Sequence, residues 1–155
     1  PRARLILAGS GEPDYTRELE ARVVQKGVGQ SVQFTGFVTG ADKAHWLAEA
    51  DVFVLPSYHE NFGVAALEAI ASGIPAVVSP DVQLGPVVRD YGLGAVAPRD
   101  PAALASGILA VLGDVALRQR CATEGPAVVN SLFSPEVIGP QLRAMYELAR
   151  SRSTT

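Results

Sequence analysis

The sequence predicts an α/β domain, a parallel sheet with helices on both faces. Three observations carry that prediction. Short apolar runs, Leu5–Ala8, Val52–Leu55 and Ala76–Val78, alternate with segments whose apolar residues recur at spacings of three and four. The run at Val52 is rich in β-branched and aromatic residues and uninterrupted, as a buried parallel strand requires. Glycine or proline marks the element ends: Gly9 and Gly11, then Pro56, then Gly73 with Pro75.

Taken in order, Arg4 to Ala8 is a strand running into the turn Gly9-Ser10-Gly11. A helix follows from about Pro13 to Lys26, with Leu19 and Val23 at i, i+4. This turn resembles a dinucleotide fingerprint only in outline, because Asp14 stands where the third glycine belongs, so NAD binding is not expected. Val32 to Val38 is the next strand, alternating in its first half and ending at Gly36. Residues 40–49 form a short amphipathic helix with Trp46, Leu47 and Ala50 inward, so Trp46 reads as core and not as a stacking platform.

Val52 to Leu55 is the central strand, stopped by Pro56. Asn61 can cap a helix in which Val64, Leu67, Ile70 and Ala71 recur at helical spacing, and Ala76 to Val78 is a second apolar strand. Residues 79–94 read as a loop with a short helix, and Ala95 to Ala97 as the last strand. Three helices follow: Pro101 to Leu112, Val115 to Val129 and Pro135 to Arg150, with Pro101 and Pro135 suited to first turns. Residues 151–155 read as a polar tail.

At 155 residues the chain is long enough for one domain with a substantial core, and its 48% hydrophobic and 19% charged composition is globular. Glu68, Ser72 and Pro75 interrupt the best candidate for a bilayer-spanning run. A net charge of −3 argues against a nucleic-acid or anionic-membrane surface. The single cysteine, Cys121, excludes an internal disulfide and fits a reducing compartment. Lacking an initiator Met and beginning almost inside a strand, the chain reads as cut from something longer.

Two carboxylates are oddly placed. Glu60 lies on the loop at a strand's carboxyl end, where open α/β sheets bind ligands. Glu68 lies about a turn and a half inside an otherwise almost uncharged helix, which has Ala65, Ala66, Ala69 and Ser72 where a solvent face would carry charge. Between them Asn61, Phe62, Gly63 and Val64 offer backbone N–H groups at a helix N-terminus, an anion site, with no Cβ at Gly63 to block approach. The helix rise separates the two acids by on the order of 10 Å. A diphosphate joining two polyhydroxyl rings fits that order, with sugar at Glu60, phosphates over Phe62 to Val64 and ribose at Glu68.

Pro56-Ser57-Tyr58-His59-Glu60-Asn61-Phe62-Gly63, then Leu67-Glu68-Ala69 and Ser72-Gly73-Ile74-Pro75, resembles the donor-binding motif of family 4 (group 1) retaining glycosyltransferases. The shared pattern is Glu, seven residues, Glu, then Ala, then Gly-x-Pro. Phe133-Ser134 and a final helix containing Met145-Tyr146 match the same family's terminal region, so the resemblance covers essentially the whole chain.

The resemblance implies a Rossmann-like sheet forming the C-terminal, donor-binding half of a GT-B enzyme. Residues 1–150 would be that domain without its first strand and helix, and the N-terminal acceptor domain would be absent. It implies transfer of a hexose from a nucleoside diphosphate sugar with retention, no cofactor, no metal, and an acceptor of unknown kind. The enzyme would be cytoplasmic or peripheral to the membrane.

Glu60 is the implied catalytic residue and Glu68 the ribose ligand. Gly9 and Gly11 would allow close backbone approach, although a plain tight turn explains them too. Phe37 and Val38 would flank the nucleobase through backbone groups. The loop after Val78 departs from the common pattern of a double glycine followed by Glu, since Gly85 is followed by Pro86; Gln83, Leu84 and Gly85 are the best positional substitutes. The family's diphosphate-clamping Arg and Lys would lie upstream, and Arg2 and Arg4 are not expected to replace them. In the family the last helix tends to cross back to the N-terminal domain, and the resemblance implies the same here.

Other chemistries fit less well. Ser57 and His59 do not form a nucleophile elbow, and His45, His59 and Cys121 are too scattered for a metal site. A glycosidase pair would flank one bond, whereas Glu60 and Glu68 are staggered along a helix. Glu60 as a solvated loop acid and Glu68 as a structural acid remain open. So does a non-catalytic nucleotide-sugar-binding or scaffolding α/β module.

Overall fold

The structure is a computed structural model that describes residues 3–152. Pro1, Arg2 and residues 153–155 lie outside the described residues, so the readings of Arg2 and of most of the polar tail fall there. The first elements are β1 (Leu5–Ala8), α1 (Pro13–Gln25), a 3-10 turn (Gly29–Ser31), β2 (Val32–Gly36) and α2 (Gly40–Ala48). Then come β3 (Phe53–Leu55), α3 (Val64–Ala71), β4 (Ala76–Val78), α4 (Gly85–Asp90) and β5 (Gly94–Val96). Three helices close the chain: α5 (Pro101–Gly113), α6 (Val115–Phe133) and α7 (Pro135–Arg152).

The expected elements are all present, and all strands pair in parallel. They lie in two sheets, β1-β2 and β3-β4-β5, where the sequence predicts one. Contacts likewise gather into two compact units, Pro1–Trp46 and Leu47–Thr155.

In the first unit Leu5 lies opposite Val32 and Leu7 opposite Phe34, with a register shift before Ala8 meets Gly36. The Gly9 N–H donates to the Gly36 carbonyl at 2.8 Å and so closes the carboxyl end of this ladder. Leu19 and Val23 of α1 are half-buried, as their spacing predicts, and Glu18 pairs with Arg22 at 2.7 Å on the outer side. Trp46 is half-buried, with the Arg4 guanidinium 5.7 Å from its ring centroid. No described residue of this unit is buried.

The second unit holds the core. Phe53 pairs with Ala76 and Ala76 with Gly94, placing β4 in the middle, where Ala76, Val77 and Val78 are all 0% exposed. Strand periodicity divides their side chains. Ala76 and Val78, with Phe53, Leu55 and Val96, pack against Ala66 and Ile70 of α3, Val88 of α4 and Cys121 of α6. Val77, with Val54 and Ala95, packs against Leu104, Ile108 and Val111 of α5. Helices therefore cover both faces, as the sequence predicts.

A Cβ on Gly94, whose φ is 152°, would stand 1.8 Å from the Ala76 carbonyl oxygen, so β4 and β5 meet through bare backbone there.

The buried face of α3 differs from the expected one. Ala66, Ala69 and Ile70 are buried, while Val64 is 58% exposed and Ala71 is exposed. Ala66 and Ala69 are thus core residues and not the small members of a solvent face. The reason is α6, which packs closely on α3: a Cβ on Gly125 would lie 2.8 Å from the Ile70 carbonyl oxygen. Small residues let two helices approach so closely, and charges would not fit between them.

Asp100 caps α5 by accepting from the N–H groups of Ala102 and Ala103 at 3.0 Å, and Asp114 caps α6 by accepting from Leu117 at 2.9 Å. α7 reaches Arg152, past the expected end at Arg150, and its residues from Gln141 to Ser151 are exposed. No single described helix is long and apolar enough to cross a membrane.

Candidate functional site

Two loops at the carboxyl ends of β3 and β4 are fastened together. The buried Ser79 hydroxyl donates to the Ser57 carbonyl at 2.6 Å. Glu60 and Val82 then form an isolated parallel bridge, and the Leu84 N–H donates to the Phe62 carbonyl at 3.0 Å. Glu60 therefore sits half-buried on a braced segment.

Gly63 turns this segment into α3, with φ 96° and ψ 44°, a left-handed conformation that glycine adopts without steric cost. Its Cβ would stand 2.7 Å from Val82 Cγ1 and 3.6 Å from Leu84 Cβ. The missing side chain thus serves packing against the second loop, which corrects the expectation that it keeps an approach open for a ligand. A second correction concerns Asn61, which is exposed and does not cap the helix: Gly63 holds the cap position, and no side chain caps it. The first helical bond runs from the Leu67 N–H to the Gly63 carbonyl at 3.0 Å, which leaves the N–H groups before Leu67 without carbonyl partners inside the helix.

Phe62 turns its ring inward, edge-on to Phe133 at 5.2 Å between centroids. Val64 is exposed, and Glu68, one turn further on, is half-buried and not without an interaction partner. The uncapped helix N-terminus lies between the two carboxylates in the chain order. Such an end attracts anions through its N–H groups and its dipole.

The second loop matches expectation less well. Leu84 is fully buried and gives its N–H to Phe62; Gly85 is buried and gives its N–H to Val82 at 2.9 Å. Both are occupied in packing, so of the three substitutes named above only Gln83 is exposed. In the first unit Gly9 adopts φ 140°, with nothing within 4 Å of an added Cβ, whereas Gly11 has no positive φ. Phe37 is 76% exposed and Val38 half-buried, just past β2.

The sequence reading missed a polar cluster on these same loops. Arg99, in the segment after β5, pairs with Asp81, donates to the Ser57 carbonyl at 3.3 Å and lies over the Tyr58 ring at 4.3 Å. These residues follow three different strands, β3, β4 and β5, and nothing in the linear order brings them together.

Cys121 is buried, and burial pushes its thiol up to about 11, with Arg120 acting the other way to a lesser extent, so the thiol is protonated at neutral pH. Among the described residues no three His, Cys, Asp or Glu side chains gather as a metal site.

The profile of the family "Glycosyl transferases group 1" matches residues 1–114. An uncharacterized glycosyltransferase of Methanocaldococcus jannaschii is 36% identical over 149 residues, which is 95% of this chain and 37% of that protein. A phosphatidyl-myo-inositol mannosyltransferase of Mycobacterium tuberculosis is 33% identical over 153 residues, covering 95% of this chain and 39% of that protein. The chain thus spans under two fifths of the length of these two relatives.

Among solved structures, sucrose-phosphate synthase from Thermosynechococcus elongatus superposes with a TM-score of 0.83 at 31% identity, over 96% of this chain and 39% of that one. Anabaena HepE in complex with UDP and glucose superposes with a TM-score of 0.83 at 26% identity, over 95% and 41%. The α/β arrangement of parallel sheets flanked by helices is that of part of a GT-B glycosyltransferase, and the chain belongs to the group 1 glycosyltransferases.

Proposed function

We propose that this chain is the donor-binding part of a family 4 hexosyltransferase that works with retention at the anomeric carbon. It would bind a nucleoside diphosphate sugar with the diphosphate over the N–H groups of Phe62, Gly63 and Val64, the ribose at Glu68 and the transferred sugar at Glu60. The carrying observation is the uncapped start of α3 between Glu60 and Glu68. The neighbour in complex with UDP and glucose and the mannosyltransferase relative support the substrate class.

The leaving diphosphate gains negative charge as the glycosidic bond breaks, and a preorganised helix N-terminus stabilises that charge without reorganising. No metal or cofactor enters this reading. The acceptor, a sugar, a lipid-linked sugar or a small molecule, would be held by an N-terminal domain of the full-length enzyme, which would work in the cytoplasm or at the membrane surface.

A transfer assay on the full-length protein with UDP-glucose and GDP-mannose tests the proposal. Metal-independent transfer with a retained anomeric configuration is expected. An inverted product or loss of activity to a chelator would refute it, and nucleotide-sugar binding without turnover would favour a non-catalytic module. Residues 1–155 alone are expected to bind nucleotide no more tightly than ~1 mM and to catalyse nothing, because half a cleft aligns no reaction.

A further inference from the structure

We propose that Arg99 is a positioning residue for Glu60, a latch that holds the loop carrying the carboxylate by gripping it and its neighbour at once. This inference rests on the role given to Glu60 above. The loop from β3 to α3 has Pro56 at its start, which has no N–H to donate to a sheet ladder, and the left-handed Gly63 at its end. Between them, residues 57–62 need outside contacts to hold one conformation.

Arg99 supplies three. Its Nη1 donates to the Ser57 carbonyl at 3.3 Å and pairs with the Asp81 carboxylate on the second loop, while its Cζ lies over the Tyr58 ring, 4.3 Å from the centroid. The Ser57 carbonyl also accepts from Ser79, so both of its lone pairs are engaged. Asp81 precedes Val82, the residue bridged to Glu60. One guanidinium therefore ties the strand-β3 loop to the strand-β4 loop next to the point where Glu60 meets Val82.

Exposure fits the assignment. The side chain of Arg99 is 31% exposed and that of Asp81 48%, so the contact is partly shielded from water and keeps more of its strength than a fully solvated pair. Tyr58 is 72% exposed, and the guanidinium over its ring adds a cation–π contact next to the Ser57 carbonyl that Arg99 also holds. A planar guanidinium can stack and hydrogen-bond together, which an ammonium cannot.

The test uses the full-length protein, wild type, Arg99→Ala and Arg99→Lys, with UDP-glucose and GDP-mannose as donors. Hydrogen exchange at the amides of residues 58–62 is expected to quicken in Arg99→Ala while β4 keeps its protection. Nucleotide affinity should stay within about twofold, and kcat should fall by about 10- to 100-fold, the scale of a misplaced catalytic group. Arg99→Lys should fall between, since it keeps the charge beside Asp81 without the stack. Unchanged exchange at residues 58–62 in Arg99→Ala would overturn the latch. Quickened exchange with unchanged kcat would overturn its bearing on Glu60. Should the wild type bind neither donor, the proposed function fails, and the exchange data alone then decide whether Arg99 holds the loop.

Discussion

The two sheets are built from similar strand-turn-helix segments, yet they differ in what holds them. β4 is buried along its whole length and packed from both faces, whereas in β1 Leu5 is 49% exposed and no described residue of its unit is buried. The ladder of β1 and β2, whose residues are half-buried or exposed, carries the Gly9 turn and Phe37 on backbone hydrogen bonds. The segment carrying Glu60 and Glu68 stands instead on a close-packed core. Packing fixes geometry more tightly than a two-stranded ladder does, since an isolated pair of strands is marginal in water. Glu60 and Glu68, the carboxylates of the proposed site, lie on the loop and helix that follow β3 of the buried sheet.

Glycine substitutions sharpen this contrast, beginning with the largest effect. Gly94→Ala puts a methyl group onto the Ala76 carbonyl, and a loss above about 4 kcal/mol, or failure to fold, is expected in urea denaturation. Gly63→Ala combines a left-handed φ with a Cβ only 2.7 Å from Val82, so a loss of at least about 2 kcal/mol is expected. Gly29→Ala in the first unit, where an added Cβ meets nothing within 4 Å, should change stability by no more than about 0.5 kcal/mol. Equal losses at Gly94 and Gly29 would remove the distinction between the sheets.

A smaller effect concerns Cys121. Its thiol is neutral in the folded state up to about 11, but an exposed thiol in the unfolded chain ionises from about 8.5. The unfolded state therefore binds fewer protons in that window, and stability should decline as pH rises from about 8.5 towards 11, with no thiol contribution to the slope at neutral pH. Thiol labelling should be slow in the folded protein and fast in urea. Rapid labelling of the native state at neutral pH would contradict the burial of this residue.

Much of the fold was legible because strands and helices here obey simple periods. The uninterrupted apolar runs at β1, β3 and β4 and the prolines opening α1, α5 and α7 placed those elements to within a few residues. What stayed hidden was set by contacts between distant segments. The buried face of α3 could not be read, because Gly125 of α6, which allows the close approach, lies far along the chain. The Glu60 and Glu68 motif was legible as a pattern within one strand-loop-helix unit. The Arg99, Asp81 and Tyr58 cluster was not, since its members follow three different strands and only sheet order brings them together. The inward packing of Leu84 and Gly85 stayed hidden for the same reason, because Phe62 and Val96, which they meet, lie elsewhere in the sequence.

The central claim is that Glu68 holds the nucleotide and Glu60 the transferred sugar. Calorimetric titration of the full-length protein with UDP and GDP, followed by transfer assays, separates the two roles. Glu68→Ala is expected to weaken binding of the matching nucleotide by roughly 1 to 3 kcal/mol, whereas Glu60→Ala should leave nucleotide binding unchanged and depress transfer. Unchanged nucleotide affinity in Glu68→Ala, or equal loss of affinity in both variants, would contradict the assignment.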